Sequence, residues 1–405
     1  LGRRLLVCTH EPLLPLSGGC TIGNLRLVEG LRDAGWEVAV LSPLNLDLAS
    51  ARALLPGVDL RPFQPWRMGR NSPLRFLRYA AYAALYGFRL AVELRRRRPA
   101  VILVRNAVLA LPCALAARLG GVPALLSYTD LLSELLASDS RFPRILIALL
   151  RAYECRVGRL FDGVTVISRP LADRLVEAGV DPRRVTLSLD GADPTCFFPG
   201  AVGAAERARR RRRLGLRPGQ RLALFHGTVE AHHGQDLLPR LLARAALEAP
   251  ELRFLLIAGG PGAAALQAAV AGLPNAHFLP FQPPEEVGRW AACADVGFIP
   301  YKPTPGLDLI FTLKLLEYFA AGLPVVSFRL RAAQSVFGPS PAWSVAADET
   351  AFIAALARLA RRKGDPALRR KVLKDFTWSA VTKRLDRHLR SLASGEAGSL
   401  ERCAP

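Results

Sequence analysis

Two ionisable residues stand in an otherwise apolar segment, T-L-K-L-L-E-Y-F-A-A-G-L-P-V-V, residues 312 to 326. Thr312 is a helix N-cap type, so Lys314 falls in the first helical turn, where the backbone dipole is positive and a lysine is disfavoured by about 0.3–1 kcal/mol. An anion at that end reverses the sign, because a phosphate takes both the unpaired N–H groups of residues 312 to 314 and the ammonium. Glu317 follows three residues later on the same face, with two carboxylate oxygens suited to the vicinal hydroxyls of a ribose. The spacing alone also fits a plain i,i+3 surface pair. Leu313, Leu315, Leu316, Phe319 and Ala320 count against that alternative, since a helix apolar nearly all round is buried.

The elements around this segment follow a regular alternation. Short apolar runs at 3–10, 36–43, 100–106, 123–130 and 163–168 are separated by helix-period segments, among them 21–35 and 73–98. This is the pattern of βαβ units and a parallel sheet. A polar, arginine-rich helix (204–213) and Pro218-Gly219 reset the pattern, and a second series of strands is predicted at 221–227, 252–260, 275–281, 294–300 and 323–328. A final amphipathic helix is predicted over 375–392. The predicted organisation is an α/β protein of two Rossmann-like domains, 1–197 and 198–375. The helix of segment 376–405 is expected to pack back toward the first domain. Ligands of such folds bind at the carboxyl ends of the strands.

Composition narrows the classes. The chain has 405 residues, 51% hydrophobic and 22% charged, enough to bury two cores at about 150 residues per domain. No stretch offers the about 20 consecutive apolar residues of a membrane span. The uncharged run 254–284 is cut by Gly259, Gly260, Pro261, Gly262, Gly272, Pro274, Pro280, Pro283 and Pro284. LGRRLLVCTH enters a strand pattern without a signal-peptide core and cleavage site, so export is not expected. The 7 cysteines are scattered, without CxxC or metal-ligand spacing, and read as reduced thiols of a cytosolic protein. The net charge of +21 attracts polyanions. The runs at 95–98 and 209–213 read individually as solvated helix faces or linkers, and no aromatic interleaving or zinc-finger spacing supports nucleic acid as a partner. The arginine surplus fits peripheral attachment to an anionic membrane and equally an arginine-rich genome.

The segment K-L-L-E-Y-F-A-A-G-L-P-V-V resembles the donor-site motif of GT-B glycosyltransferases, in particular the retaining family 4 (glycosyl transferases group 1) type with the form KxxEYxAxGxPVV. LPLSGGCTIGNLRLVEGLRDAGWEVAVLSP resembles the family's glycine loop, FDGVTVISRPLADRLVEAGVDPRRVTLSLDGADPTCFFP its interdomain segment, and ALFHGTVEAHHGQDLL the opening of its second domain. LLIAGGPG and CADVGFIPY follow in order. The resemblance implies a GT-B fold, two Rossmann-like domains facing across a cleft. It also implies transfer of a hexosyl-type sugar from a nucleotide diphosphate donor to a glycan or lipid-linked acceptor of the cell envelope, on the cytoplasmic side, without a cofactor or a required metal.

Residue by residue, the resemblance implies that Thr312, Leu313 and Lys314 hold phosphates, that Glu317 holds the ribose and that Phe281 flanks the base. It places Gly227 in the donor loop and lets Gly18 and Gly19 approach the diphosphate, although such glycines equally serve a tight turn. Asp130, at the end of SYTD, stands where members often place a His or Asp facing the sugar; it equally fits an N-cap of the following helix. Lys314 and Asp130 are the catalytic candidates, with no nucleophile assigned. Three departures stand out. Leu309 occupies the first position of the family's E-x7-E, with Asp308 only adjacent, and the usual Arg and Lys of the second domain's first loop fall at Thr228 and His233. His233 either assists the leaving group when protonated or serves the loop. His10, His226 and Lys302 remain unassigned, Lys302 reading as solvated. Two other functions remain: a sugar-nucleotide epimerase of GT-B fold, and a non-catalytic GT-B-like binding protein.

Overall fold

The computed structural model describes residues 3–14, 18–66, 75–137, 142–230 and 234–395. Two compact units emerge. One contains 1–16, 20–189 and 381–405, the other 17–19 and 190–380. The chain therefore passes from the first to the second at Leu189 and returns at Val381, within the helix Trp378–Ser394.

The first unit is built on seven parallel strands: β1 (Arg4–Thr9), β2 (Glu37–Ser42), β3 (Asp59–Pro62), β4 (Val101–Arg105), β5 (Ala124–Tyr128), β6 (Gly163–Val166) and β7 (Val185–Leu187). Their order is β3-β2-β1-β4-β5-β6-β7. β4, β5 and β6 are buried at every residue, which is why they read as unbroken apolar runs rather than alternating ones.

The second unit repeats the plan with six parallel strands: β8 (Arg221–Thr228), β9 (Leu252–Gly259), β10 (Ala276–Pro280), β11 (Val296–Ile299), β12 (Val325–Ser327) and β13 (Trp343–Val345). Their order is β10-β9-β8-β11-β12-β13. In both sheets the order reverses beside the first strand of the unit, the position where doubly wound folds leave space for a ligand. β3, β7 and β13 are edge strands of three or four residues, too short for a periodic signal, and were not among the predicted ones.

Two packing devices fix the helix Leu313–Ala320 over the second sheet. Gly297 of β11 lies under the Tyr318 ring, where a Cβ would fall 2.6 Å from ring carbons. The Tyr318 hydroxyl donates to the Leu224 carbonyl at 2.9 Å. Phe298 meets Phe225, Phe254 and Phe352 at 5.6–6.4 Å between ring centres, an aromatic core beneath the strand ends.

The arginine-rich helix Ala204–Arg213 departs from the solvated reading of its run. Arg207 and Arg211 bind Asp295 at 3.0 and 2.8 Å, and Arg210 pairs with Glu206 and Glu286 while covering Trp290. Arg209, Arg212 and Arg213 remain exposed. Lys302 pairs with Asp236 at the surface, where both side chains stay exposed to solvent. The described cysteines are all free, and five of the six are buried.

Candidate active site

The carboxyl ends of β8 and β11 and the start of the helix Leu313–Ala320 converge on one side chain. Lys314 is only 9% exposed, and among the described residues no carboxylate lies within ion-pair distance of it. Its ammonium hydrogen-bonds the Tyr301 hydroxyl and lies 5.1 Å from the Tyr301 ring centre and 5.6 Å from that of Phe225. A buried cation without an anion is costly, and aromatic faces recover only part of its lost hydration. Thr312 stands at the N-cap as predicted, with φ −91° and ψ 124°, but its hydroxyl makes no capping bond. The first amides of the helix are thus left to an external acceptor, beside the ammonium.

Gly227 makes room for this arrangement in two ways. Its φ of +115° lies outside the range of ordinary side chains, and a Cβ there would fall 2.8 Å from both Cε and Nζ of Lys314. Thr228, where the resemblance anticipates a long cation, is wedged between glycines instead. Its Oγ1 and Cγ2 lie 2.5 Å from where Cβ atoms of Gly18 and Gly260 would stand, and Gly18 and Gly19 group with this unit. Phe281, just after β10, lies over Gly259 at the end of β9.

Glu317 and His226 form the second half of the site. The carboxyl oxygen and Nε2 are 3.5 Å apart, and Nε2 has no hydrogen-bond partner. Burial pushes the Glu317 carboxyl up to about 8 against the pull of Lys314, with Asp190 and Asp193 adding to the rise. Burial, reinforced by Lys314, pushes the imidazole down to about 3. At neutral pH the contact is therefore not an ion pair: the imidazole is neutral and the carboxyl mostly protonated. A protonated carboxyl donates one hydrogen bond and accepts another, which suits a pair of vicinal hydroxyls as well as a carboxylate does. His226 had only its strand-end position to mark it. The structure stacks it on Phe197 and sets it edge-on to Tyr318, one residue before Gly227.

Asp308 does not replace the missing glutamate at Leu309. Its carboxylate is held by Arg329 through bonds of 2.9 and 3.2 Å, and Leu309 itself is buried. His233 lies outside the described residues.

The first unit gathers a polar cluster at the ends of β1, β4 and β5 that sequence reasoning missed apart from Asp130. Arg105, 5% exposed, donates to Asn24 Oδ1 at 2.8 Å and to Ser127 Oγ at 2.6 Å. Asn24 in turn donates to Glu11 at 3.2 Å, and the Cys20 thiol donates to the same carboxylate. Burial, then the negative fields of Glu11 and Asp130, hold Cys20 well above the usual thiol range despite Arg105, so it is no thiolate nucleophile. Asn106 adopts φ 63° and ψ 161°, a strained conformation for a residue with a Cβ, and its Oδ1 accepts from the Thr129 amide and hydroxyl at 2.9 and 2.7 Å. Asp130 follows directly. The amides of Leu132 and Ser133, which it would serve as an N-cap, are taken by Glu154 at 2.8 and 3.0 Å. His10 is half-buried with its Nδ1 enclosed and unpartnered among the described residues, and desolvation lowers its pKa.

Residues 18–189 match the glycosyl transferase 4-like domain, and residues 220–362 match the glycosyl transferases group 1 domain. Among curated proteins, the D-inositol 3-phosphate glycosyltransferase of Geodermatophilus obscurus is 32% identical over 244 residues, 56% of this chain and 52% of that protein. The match thus spans about half of the relative's length. Among solved structures, sucrose-phosphate synthase from Thermosynechococcus elongatus superposes with a TM-score of 0.74 at 16% identity, covering 97% of this chain and 100% of that one. Anabaena HepE in complex with UDP and glucose gives 0.71 at 14% identity, covering 96% and 99%. At these identities the solved structures speak for the fold.

Proposed function

The chain belongs to the glycosyltransferases of GT-B fold that combine a glycosyl transferase 4-like domain with a group 1 domain, and on that premise we propose how it works. It transfers a hexosyl-type sugar, with retention of anomeric configuration, from a nucleoside diphosphate sugar to a glycan or lipid-linked acceptor. The observation that carries this reading is the buried Lys314 ammonium, set without a carboxylate among the described residues beside the uncapped start of the helix Leu313–Ala320. A diphosphate supplies the anion that both lack.

In this reading Thr312, Leu313 and Lys314 hold the phosphates, Glu317 takes the ribose hydroxyls, and Phe281 flanks the base. Gly18, Gly19 and Gly227 keep side chains out of the diphosphate's way. As the bond from the anomeric carbon to the diphosphate oxygen breaks, negative charge grows on the leaving group, and Lys314 stabilises it in a site from which water is largely excluded. His233 assists the same charge when protonated. Asp130 is the second catalytic candidate, acting on the sugar, and the Arg105–Asn24–Glu11 network stiffens the strand ends beside it. The step draws on no metal or cofactor. The comparison with HepE, whose structure contains UDP and glucose, supports a nucleotide sugar as donor.

The acceptor fits a cell-envelope polysaccharide or its lipid-linked precursor, made at the cytoplasmic face of a membrane by a peripherally attached enzyme. The excess of arginine supports this placement. Incubation with a panel of nucleotide sugars, with the anomeric configuration of the product read by NMR, tests the whole proposal. Transfer with retention supports it, and inversion contradicts the retaining assignment.

The non-catalytic reading has one observation in its favour, the Leu309 position together with the engagement of Asp308 by Arg329. Tight nucleotide binding with neither transfer nor epimerisation in the panel would establish that reading instead.

A further inference from the structure

Three helices of the first unit lie side by side. Gly87 of Arg75–Arg97 packs on Pro112 of Ala110–Gly120, where a Cβ would stand 2.8 Å from the proline ring. The amide of Leu111 donates to the Tyr153 hydroxyl of Arg144–Val157 at 3.2 Å. Their outer face is apolar without being covered. Leu111, Leu115 and Leu119 form an i, i+4, i+8 stripe on Ala110–Gly120, and Phe88 on Arg75–Arg97 and Ile145 and Leu149 on Arg144–Val157 are exposed as well. Phe88 is 72% exposed, Leu119 89% and Ile145 73%.

Six exposed large apolar side chains on adjoining helices are a grouping of the kind that marks an interaction surface. On these three helices the exposed charges have one sign. Arg95, Arg96, Arg98, Arg118, Arg144 and Arg156 are exposed at these helices or their ends. Their only carboxylates, Glu93 and Glu154, are both buried, Glu93 in ion pairs with Arg89 and Arg97 and Glu154 on the amides of Leu132 and Ser133.

We propose that this face docks on an anionic lipid surface, the side chains of Phe88, Leu115, Leu119 and Ile145 entering the acyl boundary while the arginines meet phosphate headgroups. The proposal rests on the reading of peripheral membrane attachment and gives it a place on the molecule. Apolar residues flanked by arginine are what an interfacial surface requires, with buried apolar area and headgroup attraction adding together. A second copy of this chain fits worse, because its matching face would set arginine against arginine. No helix among the described residues is long and apolar enough to cross a membrane, so attachment through this face is of the surface kind.

Flotation with phosphatidylcholine vesicles, with and without phosphatidylglycerol, tests the proposal on the full chain. Three variants are compared: Leu115→Gln/Leu119→Gln, Arg95→Glu/Arg96→Glu, and, as an equal charge change elsewhere, Arg212→Glu/Arg213→Glu. Wild-type protein should float only with phosphatidylglycerol and less so at high salt. The leucine and Arg95/Arg96 variants should each lose about tenfold or more in vesicle affinity, and the Arg212/Arg213 variant should lose far less.

If all three variants float like wild type, the membrane reading stands and this face is wrong. Equal loss from both arginine pairs with none from the leucines means attraction by net charge alone and overturns the face. Wild-type protein that floats with neither vesicle removes both readings. Concentration-dependent self-association relieved by the leucine changes gives the face to a second copy and overturns the proposal. Circular dichroism and melting temperature show that each variant is folded; Leu119→Gln alone, at the most exposed position, replaces a double variant that is not.

Discussion

The two sheets end in polar clusters of opposite character. At the ends of β1, β4 and β5 the buried cation is hydrogen-bonded into a polar network: Arg105 donates to Asn24 and Ser127, and Asn24 donates to Glu11. At the ends of β8 and β11 the arrangement differs. Among the described residues Lys314 is buried without an anion and His226 Nε2 has no hydrogen bond, and burial holds the Glu317 carboxyl mostly protonated. A satisfied network stiffens a scaffold, whereas an unsatisfied one stores free energy that a matching ligand releases. In the proposed mechanism the first cluster is chiefly structural and the second binds the donor.

Lys314→Ala breaks this contrast most directly. Turnover should fall by about 10²–10³, the scale set by removing one group that stabilises transition-state charge. The melting temperature should hold or rise, because a buried unpaired cation is removed. Initial rates and thermal melts on the same preparation check both halves. Arg105→Ala should do the reverse to stability, costing about 3 kcal/mol in denaturant unfolding, since Asn24 and Ser127 lose a buried charged partner. A neutral result there would mean that the first cluster is not the structural one.

The pH dependence of stability sharpens the comparison, because each unit holds a neutral buried histidine. Burial pushes His388 down to about 4, next to Gly163 of β6, and His226 to about 3. An unfolded histidine titrates near 6.5, so below that pH the unfolded chain binds protons that the folded one refuses. The histidine contribution is full above pH 6.5 and falls as the pH drops, through about 4 for His388, by at most about 3 kcal/mol from that residue. His388→Asn should flatten the urea midpoint across this window. Glu317 acts in the other direction: raised to about 8, it favours the fold at low pH and loses that contribution as the pH climbs from 4.5 through 8. Glu317→Gln should therefore remove the loss between about pH 4.5 and 8 and leave the one caused by the histidines. The smallest effect should come from chelation, since the proposed step draws on no metal. Turnover unchanged in EDTA is the expected result, and abolition would call for a different account of leaving-group stabilisation.

How much of this was legible in the sequence depended on how local each feature is. The Lys314–Glu317 pair lies within one helical turn, and the apolar residues around it already signalled burial. The parallel sheets were legible because buried strands such as VILVR and VGFI are continuous apolar runs. The first unit's cluster was not legible: Glu11, Asn24, Arg105 and Ser127 sit on four separate elements and meet only when β1, β4 and β5 pair. The edges β7 and β13 offered three residues each, too few for a period. The run 209–213 read as solvent-facing because its partners, Glu286 and Asp295, lie some eighty residues away. His226 had no distinguishing neighbour in sequence; only its approach to Glu317 marks it.

The account stands on the helix Leu313–Ala320 gripping a nucleoside diphosphate, and calorimetric titration of UDP and GDP into wild-type protein and Lys314→Ala measures that grip. It predicts that at least one of the two binds the wild type and that its affinity falls about tenfold or more in the variant. Equal affinity in both proteins, or no binding of either nucleotide to the wild type, would contradict it.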